Sequence, residues 1–338
     1  MKMLKRLKFC AAAAVAVVAA TAASAEDKEI TFAHQDMVVP FHVLIENGEL
    51  EKATGYKINW KKFTGGGDVI RAMASGDIQI GAVGSSPAAA AASQGMDVQV
   101  FWILEDIANA EQLVARNGSG VNSVADLKGK KIGVPFVSTA HYQLLFALKE
   151  AGVDPKEANV LNMRPPEIVA AWERGDIDAT FVWNPALAKV KESGKVIASA
   201  GELAKKGRPT FDALMVKRDW AEKHKNFMVT LVKAIAVIDA RYKAEGLKWT
   251  ADSAEAKAIA KISGADVKDV PEALAAYAFL TLEEQASNAW LGGGKESGVA
   301  KALTDTSNFL KEQGRVAEVA PDYSKFVTDA YVKAALGK

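Results

Sequence analysis

A pattern that occurs twice in the chain, 99 residues apart, constrains the fold more than any other feature of the sequence. Residues 73–87 read MASGDIQIGAVGSSP, and residues 172–185 read WERGDIDATFVWNP. Each copy predicts the end of an amphipathic helix, a Gly-Asp-Ile turn, a buried strand, a short polar loop and a proline near the next helix start. The repeat therefore predicts two α/β lobes, each with a strand-to-helix loop at the carboxyl edge of its sheet, where open α/β folds bind ligands.

The rest of the chain also alternates between strand and helix patterns, which is typical of α/β architecture. The last third, from about residue 219, is mostly helical. The predicted strands are residues 29–32, 57–60, 78–83, 131–134 and 159–163. The clearest predicted helices are residues 67–75, 228–242, 254–262 and 300–313.

The N-terminus has the pattern of a secretory signal peptide. Four basic residues precede the apolar stretch 9–23, and Ala23-Ser24-Ala25 is a small-residue cleavage site. We predict that residues 1–25 are a signal peptide removed after Ala25, with an uncleaved anchor as the alternative. Cys10, the only cysteine, lies inside this segment. Disulfides, thiol catalysis and cysteine metal sites are thereby excluded from the mature chain.

The charge balance excludes the basic excess that marks nucleic-acid partners. The whole chain has 42 basic and 41 acidic residues, and removal of the signal leaves 38 against 41, a net charge of −3. An exported, cysteine-free chain of this size fits a bacterial periplasmic protein, which we expect to be a monomer.

Two loops present hydroxyl groups at predicted helix starts. Ser85 and Ser86 precede an alanine-rich helix, while Ser138 and Thr139 follow the strand at residues 131–134. Hydroxyls and unpaired N–H groups at the positive end of a helix dipole favour an anion. Such residues also cap helices without binding anything. Their matched positions in two lobes favour ligand binding.

The motifs of common enzymes are absent from the sequence. The four histidines have no metal-binding spacing, and neither a G-x-S-x-G elbow nor a phosphate loop occurs. We interpret the glycine-rich stretch 65–68 as a turn and helix cap. The sequence predicts no cofactor and no metal.

Several strings together resemble a known family. FTGGGDVIRAMASGDIQIGAVGSSP, GKKIGVPFVSTAHY, RPPEIVAAWERGDIDATFVWNPAL and RPTFDALMVKRDWAEKH are similar to the taurine-binding proteins of bacterial ABC importers, within the wider sulfonate and nitrate solute-binding families. The likeness covers nearly all of the mature chain. It implies a periplasmic binding protein that delivers a small ligand to a permease in the inner membrane.

The resemblance also implies an architecture, the two-lobed periplasmic solute-binding fold (type II). Residues 26–114 and 215–338 would form lobe 1, and residues 115–214 would form lobe 2. The segments 112–116 and 213–216 are expected to be the two crossing strands. The ligand would be trapped when the lobes rotate together.

The implied ligand, taurine, is a zwitterion with a sulfonate and an ammonium group. Ser85, Ser86, Ser138 and Thr139 would surround the sulfonate without a formal positive charge. Asp212 is the first candidate for the ammonium and Glu111 the second. Trp183 would cover the methylenes or the ammonium. Further candidate contacts are Gln35, His141 and Tyr142.

The chain departs from the family pattern at two places near the expected cleft. Glu105-Asp106 stands where neutral or basic residues are expected, and His34 with residues 36–39 replaces a more polar loop. Carboxylates facing the cleft would favour a more cationic ligand, whereas carboxylates on a solvated loop would not.

Alternative ligands are another sulfonate, a sulfate ester, an aminophosphonate or a cationic amine. The rival class is an enzyme on the same fold, such as a thiamine-precursor synthase.

Overall fold

A computed structural model describes residues 28–338 of the chain. The signal peptide predicted for residues 1–25 lies outside the described residues. Between residues 28 and 338, no helix combines the length and the apolar character needed to cross a membrane.

Within residues 28–338, ten strands form two sheets of five. Their bounds are β1 (Glu29–Gln35), β2 (Lys57–Phe63), β3 (Ile80–Gly84), β4 (Val98–Asp106), β5 (Gln112–Arg116), β6 (Lys131–Val134), β7 (Asn159–Asn162), β8 (Ala179–Val182), β9 (Gly194–Ser199) and β10 (Phe211–Lys217).

Helices cover the faces of both sheets and build most of the last third. Their bounds are α1 (Phe41–Asn47), α2 (Glu49–Thr54), α3 (Gly66–Ala74), α4 (Ser85–Ser93), α5 (Thr139–Glu150), α6 (Pro165–Arg174), α7 (Ala186–Lys191), α8 (Ala200–Lys205), α9 (Arg218–Lys223), α10 (Lys225–Glu245), α11 (Ala254–Ser263), α12 (Val270–Ala275), α13 (Leu282–Gln285), α14 (Gly298–Glu312) and α15 (Ala330–Ala335). Single 3₁₀ turns are Val124–Leu127, Gly246–Lys248, Val267–Asp269, Gly294–Glu296 and Tyr323–Phe326.

The two sheets have the same strand arrangement. The first has the order β2-β1-β3-β10-β4 and the second β7-β6-β8-β5-β9. In each, the first three strands are parallel and the fourth, β10 or β5, is antiparallel to its neighbours. The repeated sequence pattern supplies β3 and β8, which both occupy the central position. The α/β prediction and the two-unit interpretation of the repeat are confirmed.

The strands expected to cross between the lobes lie instead within single sheets. Gln112–Arg116 pairs on both sides with strands of the second sheet, and Phe211–Lys217 pairs with strands of the first. The chain therefore crosses in segments 107–111 and 200–210. The strands β5 and β10 are apolar because each lies inside a sheet and needs side chains that pack on two faces. The lobe boundaries 26–114 with 215–338, and 115–214, stay a prediction.

Helix α4 connects the first sheet to the C-terminal part of the chain. Its first eight residues are all buried, and five of them are alanines. Small side chains let α14 approach closely, and the Ser93 hydroxyl lies 3.1 Å from the Ser307 hydroxyl and 2.7 Å from the Tyr323 hydroxyl. The C-terminal helices thus hold α4 in place, and the start of α4 is fixed at the end of β3.

Candidate functional site

The candidate site is a pocket between the two sheets with buried lining side chains, and its empty space of about 300 Å³ includes a part that is open to solvent. It lies where β1 and β3 of the first sheet end, opposite the starts of α5 and α7 from the second lobe. This is the carboxyl edge that the repeat predicted. The residues that line it are Gln35, Met37, Gly66, Gly84, Pro87, Glu111, Ser138, Thr139, Trp183 and Asp212.

Six of the ten residues chosen from the sequence are among these lining residues. They are Gln35, Glu111, Ser138, Thr139, Trp183 and Asp212. They come from both lobes and from one crossing segment, although they are spread over 178 positions of the chain. The tertiary structure brings them together.

The other four chosen residues lie behind the pocket lining. The Ser85 hydroxyl accepts a 3.4 Å hydrogen bond from the Phe211 N–H, and the Ser86 hydroxyl is buried without a hydrogen-bond partner in the described chain. The Tyr142 ring meets the edge of Phe309 at 5.3 Å, so it packs on α14. Each of these side chains belongs to a first helix turn whose residues are all buried.

His141 also has a packing environment. Its ring stacks on Phe136 with centroids 4.5 Å apart, and Nδ1 accepts the Val137 N–H at 3.2 Å. Burial, with the nearby charge of Arg315, lowers the pKa of His141 to about 3. His141 is therefore neutral near pH 7 and supplies no positive charge to the site.

Three helix N-termini meet at the pocket. Gly66 opens α3, Gly84 and Ser138 are the N-caps of α4 and α5, and Thr139 opens α5. The first N–H groups of a helix have no partner inside it, and the helix dipole makes that end positive. The lining contains no lysine, arginine or histidine. An anion in this pocket would be held by N–H donors and dipoles.

The hydroxyl groups predicted to bind an anion are partly engaged in the protein. Ser138 Oγ accepts the His141 N–H at 3.0 Å and donates to the Pro135 carbonyl at 2.7 Å, so it caps α5. Thr139 Oγ1 donates to Glu111 Oε1 at 2.5 Å. The capping alternative therefore describes Ser138, while Thr139 links α5 to a buried carboxyl group.

Two carboxyl groups line the same pocket. Burial, together with the charge of Asp212, raises the pKa of Glu111 to about 8. Burial raises the pKa of Asp212 to about 6. Both groups therefore hold protons more strongly than ordinary carboxyls, and a positively charged ligand group could replace those protons.

Glu105 and Asp106 differ from each other in their surroundings. Glu105 is fully buried behind Asp212 and does not line the pocket, while Asp106 is half-buried and accepts the Ala108 N–H at 3.1 Å. The sequence left two possibilities, carboxylates that face the cleft or carboxylates on a solvated loop. Neither applies to Glu105, because it faces neither the ligand space nor solvent. Among residues 28–338, no three His, Cys, Asp or Glu side chains are grouped to hold a metal ion.

Trp183 and Met37 supply the apolar surface of the pocket. Trp183 comes from the second lobe, and its Nε1–H donates across the cleft to Asp36 Oδ1 at 3.4 Å. Asp36 is buried, and burial raises its pKa. This bond spans the two lobes and fixes the indole over the pocket.

Sequence reasoning missed several residues of the site. The stretch 65–68 is predicted to be a turn and helix cap without a ligand contact; Gly65 does cap α3, but Gly66 also lines the pocket. Tyr277 is also near, because the charges of Glu105, Asp212, Glu111 and Asp36 all help to raise the pKa of its buried hydroxyl. The departure at residues 36–39 was the one signal that pointed to Asp36 and Met37. Nothing in the sequence pattern pointed to Tyr277.

Two matching α/β lobes around a buried pocket define the class of two-lobed periplasmic solute-binding proteins. The aliphatic sulphonate binding protein SsuA from Escherichia coli has this fold, with a TM-score of 0.72 at 22% identity over 89% of this chain and 92% of that one. The alkanesulfonate-binding protein SsuA from Xanthomonas axonopodis pv. citri, bound to MOPS, has a TM-score of 0.70 at 22% identity, covering 90% and 97%.

The chain belongs to the NMT1-like family, whose sequence pattern matches residues 20–263. It is 38% identical to the taurine-binding periplasmic protein of Escherichia coli strain K12 over 309 residues. That alignment covers 91% of this chain and 94% of the relative. The family resemblance found in the sequence is confirmed.

The bond between Asp36 and Trp183 can be measured by a double-mutant cycle. Trp183→Phe keeps an aromatic ring and removes the N–H, and Asp36→Ala removes the acceptor. We expect the two changes in free energy of unfolding to be coupled by about 1 kcal/mol, because each breaks the same bond. Denaturant unfolding of the single and double variants measures it. Asp36→Asn keeps an acceptor and is the control, and strictly additive effects would contradict the bond.

Gly84 has no room for a side chain. A Cβ there would lie 2.7 Å from Thr139 Cγ2 and 3.1 Å from Asp212 Oδ1. We expect Gly84→Ala to lower the free energy of unfolding by about 1 to 3 kcal/mol through this overlap. Adding Thr139→Ser, which deletes the methyl group, should restore part of the loss. Gly65→Ala is the control, because a Cβ at Gly65 meets no atom within 4 Å. Equal effects of the two alanines in denaturant unfolding would rule out the overlap.

Proposed function

We propose that this chain is the periplasmic substrate-binding component of an ABC importer and that its ligand is taurine. The observation that carries the proposal is that helix N-termini and two buried carboxyl groups line one pocket that contains no basic side chain. The 38% identity to the taurine-binding protein of Escherichia coli supports the same ligand.

The helix N-termini suit the sulfonate group of taurine. A sulfonate keeps its negative charge at all physiological pH values, so it needs donors and does not need a base. The starts of α3, α4 and α5 offer backbone N–H groups to its three oxygens. Helix N-termini bind phosphate and sulfate groups by the same combination of N–H donors and dipole.

The carboxyl groups suit the ammonium group. Glu111 and Asp212 are buried, and the pocket offers them no basic partner. An ammonium ion donates three hydrogen bonds and brings the positive charge that these groups lack. A simple alkanesulfonate would leave both carboxyl groups unpaired, and this disfavours it as the ligand.

The two methylenes of taurine suit the walls formed by Trp183 and Met37. An indole face covers apolar groups and also attracts a nearby cation. Because the lining comes from both lobes, the ligand would join them, and closure of the lobes would bury it.

Several further properties belong to this proposal. The mature chain would begin at Glu26 after cleavage of residues 1–25, act as a monomer in the periplasm and pass its ligand to an inner-membrane permease. It would bind its ligand without catalysis, since its relatives named above are binding proteins.

A cationic amine or an aminophosphonate is the second candidate ligand. Asp36, which accepts the Trp183 Nε1–H, places a third buried carboxyl group beside the pocket. A thermal-shift comparison of taurine, aminoethylphosphonate and betaines would decide between them, because a ligand at 100 times its Kd stabilises by about 2.7 kcal/mol.

Asp212→Asn should reverse the ligand preference. The variant keeps the size of the side chain and deletes its charge, so we expect taurine to bind about a hundredfold more weakly or worse. Ethanesulfonate lacks the ammonium and should bind the variant as well as the wild type or better. Calorimetry with both ligands measures this. Equal weakening of both would give Asp212 a structural role.

Taurine affinity should rise with pH between about 5 and 9. A proton on Glu111 or Asp212 competes with the ammonium, and their pKa values of about 8 and 6 place both titrations in this window. For each proton that the ammonium displaces, the taurine affinity rises by about tenfold per pH unit. Calorimetry in buffers of different ionisation enthalpy counts the released protons. A flat profile for taurine, or the same rise for ethanesulfonate, would contradict the pairing.

A further inference from the structure

Glu105 is a buried acidic residue directly behind the pocket. It lies on β4 and pairs with Asp212 on β10 in the ladder between these antiparallel strands. Side chains that are directly opposite on neighbouring strands lie on the same face of the sheet. Glu105 is fully buried, whereas Asp212 reaches the pocket, so Glu105 contacts the ligand space only through Asp212.

The charged and titratable groups around Glu105 are all acids. Asp212 faces it from β10, Asp239 from α10 and Asp106 from its own strand. The Tyr277 hydroxyl, which follows α12, lies in the same field. The charged neighbours with the largest effect on Glu105 are Asp212, Asp239 and Asp106, and each of them raises its pKa.

A carboxylate in such a place would be very costly. An ionised group that is taken out of water needs a counter-ion, and without one the neutral form of the group is favoured. Burial and the charge of Asp212 raise the pKa of Glu105 well above its ordinary value. The protonated form is therefore favoured. Both Glu105 oxygens are buried and have no hydrogen-bond partner among the described groups other than the carboxyl of Asp212, so the O–H of the acid is available to Asp212.

We propose that Glu105 is a positioning residue, whose protonated carboxyl group donates a hydrogen bond to Asp212 and thereby holds Asp212 ionised and directed at the cationic group of the ligand. The inference rests on the proposed function, in which Asp212 binds the ammonium of taurine. The proton stays on Glu105 when the ligand binds. Glu105 thus acts on the ligand only through the charge and direction of Asp212.

The arrangement resolves an electrostatic conflict in the site. Asp212 must be ionised to pair with an ammonium, yet burial raises its pKa. A hydrogen bond from a neutral acid stabilises the carboxylate and adds no second negative charge. A lysine or arginine in the same position would also stabilise Asp212, but it would repel the ligand cation.

Two substitutions at Glu105 separate the hydrogen bond from the charge. Glu105→Gln has the same shape and keeps a donor, so taurine should bind within about threefold of wild type from pH 6 to 8. Glu105→Leu has no donor, so taurine should bind about tenfold or more weakly near pH 6 to 7. In this variant the pKa of Asp212 rises, and the loss of affinity on acidification should begin at higher pH.

Ethanesulfonate and a neighbouring carboxyl group provide the controls. Ethanesulfonate should bind every variant as well as the wild type or better, because Asp212 pairs with nothing on that ligand. Asp106→Asn keeps the acceptor for the Ala108 N–H and should leave the taurine pH profile unchanged. If Glu105→Gln weakens taurine as much as Glu105→Leu does, Glu105 acts as a charge and the proposal is wrong. If both variants bind like wild type, the hydrogen bond has no role.

A second measurement requires neither ligand binding nor the leucine variant. Infrared spectroscopy of the ligand-free protein at pH 7 should show a protonated carboxylic acid band that loses intensity in Glu105→Gln and not in Asp106→Asn. An unchanged band in Glu105→Gln overturns the proposal even if Glu105→Leu does not fold. Failure of the wild type to bind taurine would refute the proposed ligand, while the infrared result would still decide whether Glu105 holds a proton.

Discussion

The close approach of the two lobes at Gly84 is the contact on which the rest of the site depends. The strand β3 ends at Gly84, and the Thr139 methyl and the Asp212 carboxyl occupy the space where a side chain would be. Because the lobes can meet there, Thr139 reaches Glu111, and Trp183 reaches Asp36. The polar groups of the pocket are buried by the same approach, and burial strengthens the electrostatic interactions among them.

Burial without basic partners gives the pocket its chemical character. Helix N-termini provide the positive potential, and Glu111 and Asp212 provide the negative groups. Helix dipoles and neutral donors cannot be titrated, whereas the carboxyl groups can. Recognition of the anion should therefore be independent of pH, while recognition of the cation is linked to protons. A zwitterion is the ligand class that uses both features.

The cation-binding part of the site extends into the protein core. Glu105, Asp239 and Tyr277 lie behind or beside the carboxyl groups of the pocket, and none of them lines it. Native proteins rarely bury so many acids without partners, because desolvation is expensive. The raised pKa values of Glu105 and Asp239 favour their neutral forms, and this lowers the cost of burying them.

The sequence by itself determined the α/β class, the two lobes and six residues of the pocket lining. The class and the repeat follow from local patterns, since neighbouring residues set strand and helix periodicity and the ends of strands. Ser138 and Thr139 follow from hydroxyl groups at a predicted helix start. The other four, Gln35, Glu111, Trp183 and Asp212, were proposed together with the family resemblance. Only the tertiary structure decided that residues 112–116 belong wholly to the second sheet, that Ser138 Oγ caps α5, and that Glu105 is hidden behind Asp212. Those outcomes depend on strand register and on packing between segments far apart in the chain. A short stretch of sequence does not show which distant segments it will contact.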